Sequence, residues 1–131
     1  MRIAITGTPK SGKTTYSKQL GKNIKHTDDL INLGWSEASE AASLWFDDED
    51  INIIEGIAIP RALRKWLARN PEGKPCDKII YLNCPHVELI DGQKRMAKGI
   101  RTVWNEILPD LMRRNVIIED IKEKLNILFN D

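Results

Sequence analysis

Residues Gly7 to Thr14 read Gly-Thr-Pro-Lys-Ser-Gly-Lys-Thr, a complete G-x-x-x-x-G-K-[ST] pattern, and they follow the apolar run Arg2-Ile3-Ala4-Ile5-Thr6. At average composition this pattern arises by chance in well under roughly one in a hundred chains of such length, so it decides the reading of everything around it. The residues after it, Thr14 to Leu20, continue with helical spacing of apolar groups. Strand, glycine loop and helix in that order are the context a phosphate-binding loop needs, and they predict a nucleoside triphosphate as ligand.

Each residue type has a physical task there. Gly7 and Gly12 allow backbone turns that a Cβ would block, so successive N–H groups of the cofactor-binding stretch Gly7-Thr8-Pro9-Lys10-Ser11-Gly12-Lys13-Thr14-Thr15, in which Pro9 alone has none, can converge on phosphate oxygens. The helix beginning near Lys13 adds the positive end of its dipole. Lys13 is expected to reach the β- and γ-phosphates, the Thr14 hydroxyl to complete the coordination of Mg²⁺, and Thr15 to bind the α-phosphate.

The 131 residues suit one domain, 1–131. Charged residues interrupt every hydrophobic stretch and no signal peptide is recognisable, which predicts a soluble, cytoplasmic protein with no membrane partner. Cys76 and Cys84 are isolated and fit no metal-ligand spacing, so they read as reduced structural thiols. The net charge of +1 hides segregation: residues 1–25 carry six basic groups and no acid, 26–60 carry nine acids and no Lys or Arg, and 61–114 carry twelve basic and six acidic groups. Two readings stay open, a local field that attracts polyanions and mutual neutralisation of the blocks on folding.

Alternating strand and helix signals predict an α/β domain with a parallel sheet. Strands are expected at Arg2 to Thr6, Ile24 to Thr27, Ile51 to Glu55, Lys78 to Leu82 and Val116 to Ile118. Helices are expected at Lys13 to Lys22, Glu37 to Phe46, Pro60 to Arg69, Glu88 to Arg113 with a break near Gly99 or Pro109, and Ile121 to Leu128. Ligands in such sheets collect at the carboxyl ends of the strands.

The candidates for chemistry follow those ends. Asp28 is the first choice for a base that takes the proton of an acceptor hydroxyl, with Asp29 beside it as an alternative or as a ligand to Mg²⁺ through water; the pair can equally cap the next turn. A carboxylate here favours an alcohol acceptor over a phosphate, which is already ionised. Glu55 is placed to hold a magnesium-bound water, and Gly56 to permit close approach of the acceptor. Arg61 is the best placed group for an anionic acceptor, while Arg64, Lys65 and Arg69 can equally form a solvated face. After strand four, Lys94, Arg95, Lys98 and Arg101 form a basic segment bracketed by Gly92 and Gly99; Arg95 is the candidate for charge stabilisation, with Lys98 and Arg101 toward the acceptor, and the glycines as hinges. Trp35, Trp45 and Phe46 can be core, interface or acceptor-contact residues, core being the safest assignment; Trp66, with Leu63, is available for the buried side of its helix, and Trp66 or Trp104 can alternatively offer a stacking surface.

The Gly7 to Thr15 stretch, the Asp28-Asp29 pair and the basic segment together resemble small P-loop kinases of the nucleotide- and nucleoside-kinase type. His26-Thr27-Asp28-Asp29-Leu30 is similar to the segment of alcohol-phosphorylating members in which an Asp activates the acceptor. Glu55-Gly56 through Pro60-Arg61 resembles the substrate-arginine turn of adenylate kinases. The resemblance implies the three-layer P-loop NTPase fold with a five-stranded parallel sheet, ATP with Mg²⁺, and γ-phosphoryl transfer. The chain departs from adenylate kinases in lacking room for an inserted lid and nucleotide-monophosphate region, since only about thirty residues separate strand two from Glu55. An open site suits a group projecting from a polymer, and the chain resembles compact phage kinases that phosphorylate the 5-hydroxymethyl group of uracil in DNA. The alternatives are a small nucleoside or nucleotide as acceptor, and a non-catalytic NTP-binding module.

Overall fold

A computed structural model describes residues 1–21, 23–85 and 87–122. In chain order the elements are β1 (Ile3–Gly7), α1 (Lys13–Leu20), β2 (Ile24–His26), a 3₁₀ segment (Thr27–Leu33), α2 (Trp35–Trp45), β3 (Ile53–Glu55), α3 (Ile59–Arg69), β4 (Lys78–Leu82), α4 (Asp91–Arg113) and β5 (Ile117–Ile121). The fold is α/β, and its five strands form one all-parallel sheet in the order β2-β3-β1-β4-β5. Among the described residues no helix is long and apolar enough to cross a membrane.

The inner strands are buried on both faces, which is why Ile3-Ala4-Ile5, Ile53-Ile54 and Ile79-Ile80-Tyr81-Leu82 read as continuous apolar runs rather than alternating ones. Ala4, Ile54, Ile79 and Tyr81 face α2, α3 and α4. Ile5, Ile53, Ile80 and Leu82 face the other way, with Tyr16 of α1 against them. Helices on both faces are compatible with three layers. Each fully buried Ile or Leu contributes roughly 1.5–3 kcal/mol, so truncating Ile54 or Ile79, both wholly inaccessible, would weaken the frame on which the loops stand.

β1 and β4 remain paired up to Gly7 and Leu82, and the Thr8 amide continues the ladder by donating to the Leu82 carbonyl at 3.0 Å. Gly7 is required at that point. Its φ is +146°, and an added Cβ would overlap the Leu82 carbonyl oxygen.

Three expectations change. α4 runs unbroken through Gly99 and Pro109. A proline inside a helix costs about 3 kcal/mol. Here Ile100, Val103, Trp104, Ile107 and Leu111 recur at three- and four-residue spacing and are all buried, and together they outweigh that cost. Gly92 and Gly99 are both helical residues, so neither acts as the expected hinge in this structure. β5 is longer than Val116 to Ile118 and ends at Ile121, because its charges have partners: Lys78 Nζ lies 2.7 Å from Glu119, and Arg101 donates to Asp120 at 3.3 Å. Ile121, the expected start of a last helix, is therefore a strand residue, and positions 123–128 of that expectation lie outside the described residues, as does Lys22.

The segregated charges are partly neutralised by packing. Glu40 of α2 meets Lys65 at 3.7 Å and Arg69 at 3.4 Å, and Arg69 also approaches Asp47. Cys76 and Cys84 are free thiols, and burial pushes the Cys76 thiol up to about 12.

Candidate functional site

The carboxyl ends of β1, β2 and β3 surround a cleft of about 400 Å³ lined by Lys13, Thr14, Thr15, Asp28 and Glu55, with Gln93 and Met96 of α4 on its far side. The loop between β1 and α1 forms its floor. Gly12 precedes the helix with φ +86°, and Lys10 also takes a left-handed conformation at φ +60°. Among the described residues, the amides of Lys10, Ser11 and Gly12 donate to no protein acceptor. The first three amides of α1, Lys13, Thr14 and Thr15, have no intrahelical partner because of helix geometry. No side chain caps them. Six consecutive donors are therefore left open at the positive end of a helix, a concentration suited to an anion.

Lys13 is folded back over this loop. Its Nζ donates to the Thr8 carbonyl at 2.7 Å and lies 3.5 Å from Ser11 Oγ. Burial lowers its ammonium from 10.5 to about 8, and Glu55 and Asp28 oppose that shift. The lysine is thus a desolvated cation, poised between the loop and the two carboxylates.

Glu55, the last residue of β3, is 2 % exposed. Thr14 Oγ1 donates to its Oε1 at 3.3 Å, and His26 Nδ1 lies 2.6 Å from the same oxygen. β2 and β3 pair with His26 opposite Glu55, which explains the contact. His26 carried no role in the sequence reading. Its position behind Glu55 follows from strand register, which residue types alone do not specify.

Gly56 has φ +144°, and a Cβ there would overlap Thr27 Oγ1. The close approach that glycine permits here is to the Thr27 side chain. This contact holds the start of the 3₁₀ segment against β3 and so places Asp28 beside the loop. In a 3₁₀ turn successive side chains diverge by about 120°. Both side chains are exposed, but Asp28 lines the cleft and Asp29 does not. Of the three candidate metal ligands, Thr14 and Glu55 are brought together and Asp29 is not brought to them. Among the described residues no group of three His, Cys, Asp or Glu is arranged to hold a metal ion.

A second, more open groove of about 530 Å³ lies between α2, α3 and α4, and Arg61, Arg64, Lys65 and Arg95 line it. Arg64 pairs with Glu106 at 3.0 Å and Lys65 with Glu40, whereas no carboxylate among the described residues lies within ion-pair distance of Arg61, Lys94, Arg95 or Lys98. Lys98 is exposed and lines neither cavity. Arg101 is withdrawn from any acceptor: it is bonded to Asp120 and its guanidinium lies 5.0 Å from the Tyr81 ring centroid. Arg95, Lys98 and Arg101 thus do not act as one set.

Trp66 takes the buried side of its helix, Phe46 lies in the core with Trp45 packed against it, and Trp104 and Trp35 depart from the stacking and core assignments. Trp104 is 1 % exposed against Tyr81, with ring centroids 4.9 Å apart, and Trp66 is 6 % exposed with its Nε1–H donating to Asp47 at 2.8 Å. Neither can serve as a stacking surface. Trp35, read as core, is 45 % exposed, and the Arg61 guanidinium lies 5.4 Å from its ring.

No protein-family model matches this chain, and a search of curated proteins likewise finds no match.

Proposed function

We propose that this chain is a P-loop NTPase-type kinase that uses ATP and Mg²⁺ to move the γ-phosphoryl group to a hydroxyl, the 5-hydroxymethyl group of uracil in DNA being the favoured acceptor. The observation that carries the reading is the convergence of Lys13, Thr14, Glu55 and Asp28 on one cleft whose floor is a row of open amides.

The donor set suits magnesium. Thr14 offers a hydroxyl and Glu55 a carboxylate 3.3 Å away, oxygen ligands of the kind a hard cation takes while it keeps waters and phosphate oxygens as its other ligands. Held there by Thr14 and Glu55, such an ion would supply positive charge to offset that of the phosphates. The loop amides and Lys13 hold the phosphates; Lys13 exchanges its bond to the Thr8 carbonyl for phosphate oxygen. His26 keeps the Glu55 carboxylate oriented. Asp28 accepts the proton of the acceptor hydroxyl as its oxygen forms a bond to the γ-phosphorus and the bond to the β-phosphate oxygen breaks, so that ADP leaves. Arg95 lines the basic groove and not the cleft, so its charge is offered to an anionic acceptor rather than to the transferred phosphoryl group.

The test is transfer of γ-label from ATP with Mg²⁺ to hydroxymethylated DNA, unmodified DNA, and free nucleosides and nucleotides. Label in hydroxymethylated DNA alone supports the proposal. Label in a free nucleoside or nucleotide moves the protein to small-molecule metabolism, and ATP binding without transfer to any acceptor leaves a non-catalytic module.

A further inference from the structure

Next to Asp28 the cleft opens into a smaller, mainly apolar pocket of about 190 Å³, walled by Trp35, Ala38, Ile57 and Ala58. A dry cavity of about 150 Å³ holds a benzene molecule, so this one has room for a single six-membered ring with small substituents. Trp35 lines both this pocket and the basic groove and so divides them. Arg61 lines only the groove, which places its guanidinium on the groove side of the indole. The other side of the indole is a wall of the pocket. Asp28 lines both the pocket and the phosphate cleft, joining the two.

Resting on the kinase reading above, we propose that this pocket receives one unpaired pyrimidine base of a polynucleotide, stacked against Trp35, while Arg61 and Arg95 hold the flanking phosphates. Ring size argues for a single-ring base. Recession argues for extrusion: a base within a duplex offers only its edge, with neighbours stacked on both faces, and cannot enter a pocket walled on several sides. The groove supplies the polymer part. Arg61 and Arg95, the two groove cations with no carboxylate partner among the described residues, lie beyond the indole from the pocket, as phosphates on either side of an extruded nucleotide require. Extrusion is easiest from a single strand or a mismatch and hardest from a matched duplex, and this ordering is the signature of the proposal.

The experiment is anisotropy titration of the full chain, without ATP, against one labelled oligonucleotide containing a single 5-hydroxymethyluracil. The oligonucleotide is presented as a single strand, in a mismatched duplex and in a matched duplex, with 2-aminopurine as the neighbouring base. The expected result is at least tenfold tighter binding of the single strand and the mismatch than of the matched duplex, with a rise in 2-aminopurine fluorescence on binding. Trp35→Ala should weaken single-strand binding by about fivefold or more, Trp35→Phe should restore most of it, and Arg95→Gln should lower the slope of log affinity against log salt by about one. Equal affinity for all three forms with no fluorescence rise would overturn the proposal. So would an unchanged Trp35→Ala variant, or full competition by free 5-hydroxymethyl-2′-deoxyuridine monophosphate at oligonucleotide concentrations. Calorimetric titration of the same protein with ATP separates the two readings: oligonucleotide results of the wrong kind with ATP bound overturn only the pocket assignment, whereas absence of ATP binding overturns the kinase reading.

Discussion

The two ends of the parallel sheet treat their polar groups in opposite ways. At the amino end, Arg2 donates through Nε to the Ile51 carbonyl at 3.0 Å and through its guanidinium to the carbonyls of Phe46, Asp48 and Pro75. Its own amide donates to Asp77 at 2.7 Å. One side chain thereby ties β1 to the loops that precede β3 and β4. At the carboxyl end the opposite holds: among the described residues six amides find no protein acceptor and the buried Thr8 Oγ1 has no partner, and a lysine is desolvated near two carboxylates. An unsatisfied buried polar group such as Thr8 Oγ1 costs roughly 1–3 kcal/mol, whereas the open amides of Lys10, Thr14 and Thr15 belong to exposed residues that water can serve; on the proposed function, phosphate oxygens take the place of that water. Substitutions at the carboxyl end should change activity with little effect on stability, and those at the amino end should do the reverse.

The largest effect is expected from Lys13→Ala. Phosphoryl transfer, measured with γ-labelled ATP, should fall at least about a thousandfold while circular dichroism stays native. In the unsubstituted protein, nucleotide affinity should be level below pH 8 and decline above it. The lysine is a charged partner for phosphate below its lowered value of about 8 and loses that charge as the pH rises through it. The Lys13→Ala variant should show no such decline. Asp28→Asn comes next: transfer should fall by roughly 10²–10⁴-fold with ATP affinity kept, and unchanged transfer would remove Asp28 as the base. At the opposite end, Arg2→Ala should lower unfolding free energy by about 2–4 kcal/mol in urea titrations, since several carbonyls lose a charged donor, while kcat and KM of the folded fraction hold. A large loss of activity at unchanged stability would break the contrast between the ends. Smallest is Arg64→Gln. Its ion pair with Glu106 joins side chains 47 % and 59 % exposed, and the stability change should stay under about 0.5 kcal/mol.

How far each end could be read from residues alone follows the same division. The loop after β1 is contiguous, and its glycines, lysine and threonine announce it; the five strands and the parallel sheet follow from the alternation of apolar runs. Contacts that depend on register or on packing between distant elements were not legible. His26 meets Glu55 only because β2 and β3 pair without a shift. Trp35 was expected inside because tryptophan is usually buried, yet it opens α2 directly after Gly34, and the core positions of that helix go to Ala38 and Ala42. Arg101 looked like part of a basic stripe until Asp120, at the end of a longer β5, claimed it. The break expected at Pro109 did not occur because five buried side chains of α4 outweigh one missing hydrogen bond.

The most direct test of the central claim is to titrate ¹⁵N-labelled protein with a non-hydrolysable ATP analogue and Mg²⁺ and follow the backbone amides. The account predicts the largest shifts at Lys10 to Thr15, the amides left open after β1, with saturation that disappears in Lys13→Ala. Absence of shifts in that segment at millimolar analogue, or equal shifts in the Lys13→Ala variant, would contradict it.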